Sequence, residues 1–127
     1  MKEIEQLNGL TLAFMGDAIM SLKARKYYIE QGFTKPNDLQ KLCVGKVSAV
    51  AQAKAVKQLM DNDFFTQEEI LIIKRGRNCK SKSSAKNADI ITYRMSTGFE
   101  ALWGYLYLCE DNKRIEEIWN AILELED

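Results

Sequence analysis

Two acidic side chains, Asp17 and Glu100, lie in segments whose other residues are mostly apolar. The helical neighbours of Asp17, three and four positions away, are alanine, phenylalanine, methionine and serine. Those of Glu100 are serine, threonine, tryptophan and glycine. Neither acid therefore has a basic partner within reach on its own helix. A carboxylate beside apolar groups is costly unless a positive charge reaches it, so both acids are candidate ligands for a cation.

Glycines mark the same two places, because Gly16 precedes Asp17 and Gly104 lies one turn past Glu100. A glycine inside a helix costs about 1 kcal/mol relative to alanine, and a close approach of two helices would offset that cost. If the helices cross at these glycines, the carboxylates converge, and a divalent cation such as magnesium relieves their repulsion. Magnesium bound in this way polarises a phosphate and activates water for in-line attack. The pattern alone leaves open that the acids are rim residues paired with lysines elsewhere, and that the glycines are ordinary packing positions.

The sequence contains no histidine, and its three cysteines show no Cys-x-x-Cys spacing. Catalytic triads that use histidine, histidine acid–base pairs and His-ligated zinc are therefore excluded. Chemistry in this chain has to use carboxylates, lysines, tyrosines or a metal bound by carboxylates.

A run of positive charge lies between residues 74 and 88, with six basic residues and no acidic one. Because the formal net charge of the whole chain is zero, the other residues carry a charge of minus six. One positive face is typical of a surface that contacts phosphates. The candidate phosphate contacts are Arg75, Arg77, Lys80, Lys82 and Lys86, and Asn78 is a candidate for a hydrogen bond to a base edge or a 2′-hydroxyl. From the pattern alone, a solvated charged loop explains this run equally well.

Apolar spacing and capping residues predict helices over nearly the whole chain and no strands. The predicted helices cover residues 8–31, Pro36 to near Gly45, 47–60, Thr66 to near Gly76, 89–109 and 113–125. In the first helix the residues that repeat at helical spacing are Leu10, Phe14, Ala18, Leu22 and Ile29. In the third, the residues predicted to face inward are Val47, Val50, Val56 and Leu59.

The ends of the later helices carry their own signals. Thr66 and Glu69 fit a capping box, and Asp89 and Asp111 are predicted caps of the last two helices. Residues 76–88, which are polar and basic, are predicted to form a loop.

The length of 127 residues predicts one domain, residues 1–127, around one hydrophobic core. There is no apolar run of membrane-spanning length, and the N-terminus does not have the pattern of a signal peptide. We therefore expect a protein of the cytoplasm with no membrane partner.

Residues 12–18, Leu-Ala-Phe-Met-Gly-Asp-Ala, resemble the first signature of the ribonuclease III catalytic domain, and residues 99–108 resemble its last. Shorter blocks, at residues 32–39, 47–49, 75–78 and 92–97, resemble the Mini-ribonuclease III branch of that family. The blocks come in the expected order and cover about residues 6 to 125. Full-length ribonuclease III carries acids where this chain has Ala13 and Thr97, and the branch also lacks those acids.

The resemblance implies an all-α fold, a single ribonuclease III-type endonuclease domain in which two long helices of a bundle cross at the active site. It implies a homodimer without a separate double-stranded-RNA-binding domain. It also implies magnesium-dependent hydrolysis of double-stranded RNA, with Asp17 and Glu100 as the catalytic, metal-binding pair. The implied physiological substrate is a precursor of the large-subunit (23S) ribosomal RNA.

Two other functions remain open from the residues alone. A non-catalytic helical module for RNA binding or ribosome assembly would keep the basic run and the dimer without needing the two acids. A hydrolase acting on nucleotides would need the acids but not duplex RNA. Substitution of Asp17, and a comparison of nucleotide with duplex RNA as substrate, would separate these functions.

Overall fold

The protein is described from a computed structural model, which covers residues 3–79 and 88–125. A 3-10 turn, Ile4–Gln6, precedes six α-helices in the described residues. The helices are α1 (Gly9–Glu30), α2 (Pro36–Val47), α3 (Ala49–Asp61), α4 (Gln67–Asn78), α5 (Ala88–Leu108) and α6 (Asn112–Glu124). No strand occurs in these two ranges, so the predicted all-helical fold is confirmed. None of the described helices is both long and apolar enough to cross a membrane.

Helix α5 is the central element, since it packs against α1, α3, α4 and α6. Its buried aromatic residues form part of a chain of edge-to-face contacts through the core. Phe99 contacts Phe65 and Trp103, and Trp103 contacts Trp119, with ring centroids 6.1 to 6.4 Å apart. Burial of these rings fixes α5 about its own axis and so determines which of its residues can reach solvent.

The helix ends agree with the predicted capping chemistry at two of three places. Thr66 and Glu69 form a reciprocal capping box at the start of α4, and Asp111 accepts a hydrogen bond from the backbone N–H of Arg114. Glu69 also accepts two hydrogen bonds from the Arg114 guanidinium, at 2.7 and 2.8 Å, which ties α4 to α6. Asp89 was expected as the cap of α5, but that helix begins one residue earlier, so Asp89 lies inside its first turn.

The predicted loop over residues 76–88 is only partly described. Residues 76–78 belong to α4, which does not stop at Gly76 as expected. The reason is that Gly76 is a packing glycine: a Cβ there would lie 2.7 Å from the Cβ of Ala101 and 2.9 Å from the Cα of Gly98. Residue 88 is already the first described residue of α5, and residues 80–87 lie outside the described residues.

Two apolar faces differ from the sequence-based expectation. In α3 the prediction that Val50 faces inward is wrong, since its side chain is 70% exposed. Val56 and Leu59 are buried as predicted, and the third residue of that buried face, at helical spacing, is Gln52. In α1 the predicted helix is confirmed, but the apolar residues that indicated it are exposed; we call them the α1 stripe: Leu10, Phe14, Ala18, Leu22 and Ile29.

Candidate active site at the crossing of α1 and α5

The two long helices approach each other through glycines. A Cβ on Gly16 would lie 1.7 Å from the carbonyl oxygen of Glu100, and a Cβ on Gly104 would lie 1.8 Å from the carbonyl oxygen of Leu12. Backbone therefore contacts backbone at this crossing, and no side chain separates the helices. The sequence-based prediction of a tight crossing at these two glycines is confirmed.

The carboxyl groups of Asp17 and Glu100 meet at this crossing, within hydrogen-bonding reach of each other. Asp17 is exposed and Glu100 is half-buried, so the pair lies where the core meets the surface. Burial, together with the neighbouring Asp17, raises the pKa of Glu100 to about 7 against an opposing hydrogen bond from Gln52. The pair therefore carries unrelieved negative charge once both groups are ionised.

A third residue at the site, Gln52, was not singled out by the sequence analysis. Its side chain is 1% exposed. Its Nε2 donates to Glu100 Oε2 at 3.2 Å and to the carbonyl oxygen of Val47 at 2.7 Å. A signal was present in the sequence, because an amide at this position interrupts the apolar face that Val56 and Leu59 continue.

The two positions that carry acids in full-length ribonuclease III contribute no carboxylate here. Ala13 is buried against the core at 6% exposure. Thr97 is 5% exposed, and its hydroxyl donates to the carbonyl oxygen of Tyr93 at 2.9 Å, inside the same helix. The acidic part of the described site is therefore limited to Asp17 and Glu100.

The donor set fits a hard divalent cation. Carboxylate oxygens are the ligands that magnesium prefers, and magnesium usually keeps several waters and takes only one or two carboxylates from a protein. Among residues 3–79 and 88–125 no group of three or more His, Cys, Asp or Glu side chains could hold a metal ion. A cation at this crossing would therefore have two protein carboxylates and would share its other positions between water and phosphate oxygens.

The basic end of α4 packs against the helices that carry the two acids. A Cβ on Gly98, in α5, would lie 2.5 Å from the carbonyl oxygen of Ile73 in α4. A Cβ on Gly9, in α1, would lie 3.0 Å from the carbonyl oxygen of Arg75. The start of the basic run is thus held against both of the helices that carry the two acids.

The predicted RNA-contacting residues have different surroundings in this structure. Arg75 donates from Nη1 to the carbonyl oxygen of Glu5 at 2.8 Å and from Nη2 to that of Leu7, which holds the N-terminal segment against α4. Arg77 donates from Nε to Asn78 Oδ1 at 3.2 Å, and Asn78 is exposed. The three predicted lysine contacts lie outside the described residues: Lys80, Lys82 and Lys86.

Comparison with known proteins identifies the family of this chain. A model of the ribonuclease III domain family matches residues 10–111. Three proteins named Mini-ribonuclease 3 are similar to this chain. That of Enterococcus faecalis is 48% identical and covers 94% of this chain and 91% of its own. That of Streptococcus pneumoniae is 46% identical, and the match covers 93% of this chain and 92% of the relative. That of Brevibacillus brevis is 53% identical, and the match covers 87% of this chain and 81% of the relative.

The fold has a counterpart of known structure. The crystal structure of a protein from Fusobacterium nucleatum matches with a TM-score of 0.80 and 33% identity, over 93% of this chain and 94% of that one. The helical fold, the tight crossing of α1 and α5 and the similarity to these relatives all indicate the same family. The chain therefore belongs to the ribonuclease III family, in its Mini-ribonuclease 3 branch, and is an endoribonuclease.

Proposed function

We propose that this protein is a magnesium-dependent endoribonuclease that hydrolyses phosphodiester bonds of double-stranded RNA at Asp17 and Glu100. The observation that carries the proposal is the meeting of these two carboxyl groups across the backbone contact of α1 and α5. The acids are 83 residues apart in sequence, and their meeting opposes folding once both are ionised, because the two groups then repel each other.

The proposed site consists of the two carboxylates and the amide that contacts one of them. Asp17 and Glu100 would hold magnesium, which when bound polarises a phosphate and lowers the pKa of water. Asp17, being exposed, lies on the side from which RNA can approach. Glu100 is half-buried, and it accepts a hydrogen bond from the buried side chain of Gln52. Both carboxylates bind best when ionised, which for Glu100 requires a pH near or above its raised pKa of about 7.

We propose a homodimer formed through the α1 stripe. Its largest member, Phe14, is 81% exposed, and Leu22 is 62% exposed. Exposed apolar residues in one row are typical of a protein–protein interface. Phe14 is three residues before Asp17, so the two side chains are neighbours on the surface of α1. A twofold dimer through this face would therefore bring two acidic pairs to one side of the assembly, where each could cut one strand of a duplex.

The proposed RNA surface starts at the end of α4. Arg77 and Asn78 are its described members, and Lys80, Lys82 and Lys86 continue it in sequence. Arg75 contributes charge to this surface, but its guanidinium is already bound to two backbone carbonyls. The wide, shallow minor groove of A-form RNA is recognised through phosphates and 2′-hydroxyls, which suits arginine and asparagine side chains. That the physiological substrate is a 23S ribosomal RNA precursor in the cytoplasm is a proposal supported by family membership.

Asp17→Asn tests the proposal, because it removes the charge and keeps the shape. We expect cleavage of duplex RNA in magnesium to fall at least ~100-fold, while the affinity for RNA stays at the wild-type value. The unfolding free energy of the metal-free protein should stay the same or rise, because a charge that repels Glu100 is removed. The matched control is Asp61→Asn, at an exposed aspartate paired with Lys57 on α3, which should cleave normally. Normal cleavage by the Asp17 variant would refute the proposed site, and loss of folding would make Asp17 a structural residue. A wild-type protein that binds duplex RNA but never cuts it would favour the non-catalytic module.

A further inference from the structure

The side-chain amide of Gln52 forms hydrogen bonds through its nitrogen only, and its buried oxygen has no partner in the described part of the chain, which costs stability. Both N–H bonds of Nε2 are used, one on Glu100 and one on Val47. The Oε1 atom is buried and has no hydrogen-bond partner among the described residues. An unsatisfied buried polar atom costs about 1–3 kcal/mol, so on packing grounds a leucine or methionine would suit this apolar position better. One of its two N–H bonds serves the backbone at the end of α2, and the other serves the carboxylate of Glu100.

The carboxylate of Glu100 needs a constraint because Asp17, which lies beside it, carries the same charge when ionised. When both acids are ionised, Coulomb repulsion from Asp17 pushes the Glu100 side chain away from the position in which the two could share a cation. The Gln52 hydrogen bond at 3.2 Å holds Oε2 against this push and stabilises the charged form. Gln52 cannot turn its amide over without losing the 2.7 Å bond to Val47, so its donor stays aimed at Glu100.

We propose that Gln52 is a positioning residue of the nuclease site, which orients the Glu100 carboxylate so that it can share a divalent cation with Asp17. The inference rests on the proposed function, since it takes the cation site from there. Partners that orient ligand side chains commonly change metal affinity by 10- to 100-fold when they are removed. Here the effect should be large, because the described site offers only two carboxylates and one of them depends on this hydrogen bond.

The site then depends on three helices. Asp17 belongs to α1, Glu100 to α5 and Gln52 to α3. Gln52 lies in the second turn of α3, and Ser48 caps that helix by accepting a hydrogen bond from the backbone N–H of Ala51 at 3.2 Å. Val47, which holds the Gln52 amide, is the last residue of α2. The α2–α3 junction therefore sets the position of the donor, and through it the position of one acid.

Gln52→Leu and Gln52→Met test the inference, because both keep the size of the side chain and lack the donor. We expect each to bind magnesium about 10-fold more weakly or worse, measured by calorimetric titration and by the rise in melting temperature that magnesium causes, both without RNA. The magnesium concentration for half-maximal cleavage should rise by the same factor, while the affinity for duplex RNA in calcium stays unchanged. Gln58→Leu, on the same helix, is the matched control and should behave as wild type.

The outcomes separate this inference from the proposed function. Wild-type magnesium affinity in a folded Gln52→Leu or Gln52→Met protein would overturn the positioning role, even if cleavage were normal and the nuclease site correct. If Gln52→Leu does not fold, Gln52→Met decides by the same measurements. A wild-type protein that neither binds magnesium nor loses cleavage on substitution of Asp17 would instead overturn the proposed site itself.

Discussion

Replacing Gly16 by alanine should damage the site more than it damages the fold. The added Cβ would lie 1.7 Å from the carbonyl oxygen of Glu100, whereas ordinary contact begins at 3.4 Å, so α1 and α5 must separate by about 1.7 Å. No flexible side chain can give way, because the next atoms that the Cβ meets are the carbonyl carbon of Glu100 at 2.6 Å and the backbone nitrogen of Gly104 at 2.9 Å. The separation moves Glu100 away from Asp17 directly.

The expected magnitudes follow from two opposing effects on stability and one on geometry. Alanine favours the helix by about 1 kcal/mol over glycine. Overpacking a tight core contact costs about 1–3 kcal/mol, and the upper end applies here because two backbones must move. We expect the unfolding free energy to fall by about 2 kcal/mol. Cleavage should fall about 100-fold or more, since a misplacement of about 1 Å can already cost that much.

Urea unfolding and single-turnover cleavage of a duplex RNA in saturating magnesium measure the two effects. Gly45→Ala is the matched control, because Gly45 lies in α2 with nothing within 4 Å of the position of a Cβ. It should be up to about 1 kcal/mol more stable than wild type and fully active. Gly104→Ala should behave as Gly16→Ala does, since its Cβ meets Leu12. Wild-type cleavage by a folded Gly16→Ala protein would refute the view that this backbone contact sets the distance between the acids.

Three further results are expected. The metal-free protein should lose stability as pH rises from 4.5 through about 7, because the pKa of Glu100 is raised in the fold and this group contributes its full stability only below pH 4.5. In thermal melts above pH 7, magnesium should restore the lost stability. An effect of magnesium that does not depend on pH would contradict this prediction. Phe14→Lys should be monomeric by light scattering, while Leu71→Lys, at a residue 62% exposed on α4, stays dimeric; equal behaviour of the two would remove the α1 stripe from the dimer. Arg77→Ala should reduce the slope of log affinity for RNA against log salt by about 0.7–0.9, whereas Arg75→Ala should mainly lower the melting temperature because it frees the N-terminal segment; the reverse pattern would exchange their roles.

The parts of this fold that were predictable have signals confined to one helix. The capping box at Thr66 and the apolar spacing of α1 are local patterns, and such patterns predict where the helices lie along the chain. Even the crossing at Gly16 and Gly104 was predictable, because a glycine inside a helix is costly and needs a reason. The same reasoning failed at Gly76, which was expected to end α4 but packs against α5 instead. A glycine that ends a helix and a glycine that lets two helices approach closely look identical in a sequence.

The parts that were not predictable depend on partners far away in the chain. Gln52 interrupts the apolar face of α3, but nothing near it in the sequence indicates that its partner is Glu100, 48 residues later. Arg75 seemed free to bind phosphate, but it holds carbonyl oxygens 68 and 70 residues earlier. Phe14 and its neighbours indicated a helix correctly, yet periodicity cannot distinguish a face that packs in the core from one that is exposed in the single chain.

The acidic pair gives this fold a built-in conflict between stability and activity. Burial first, and the neighbouring Asp17 second, raise the pKa of Glu100 from 4.5 to about 7, which opposes folding by on the order of 3 kcal/mol at alkaline pH. That is a sizeable share of the roughly 5–15 kcal/mol that holds a typical domain together. Glu100 cannot relieve this strain by turning its side chain, because Gln52 holds its carboxylate and the backbone contact places it beside α1. The remaining relief is a cation between the carboxylates. The contact that brings the two acids together adds to this cost in the metal-free protein and would also let it bind magnesium, so a variant in which the acids are held apart should lose cleavage.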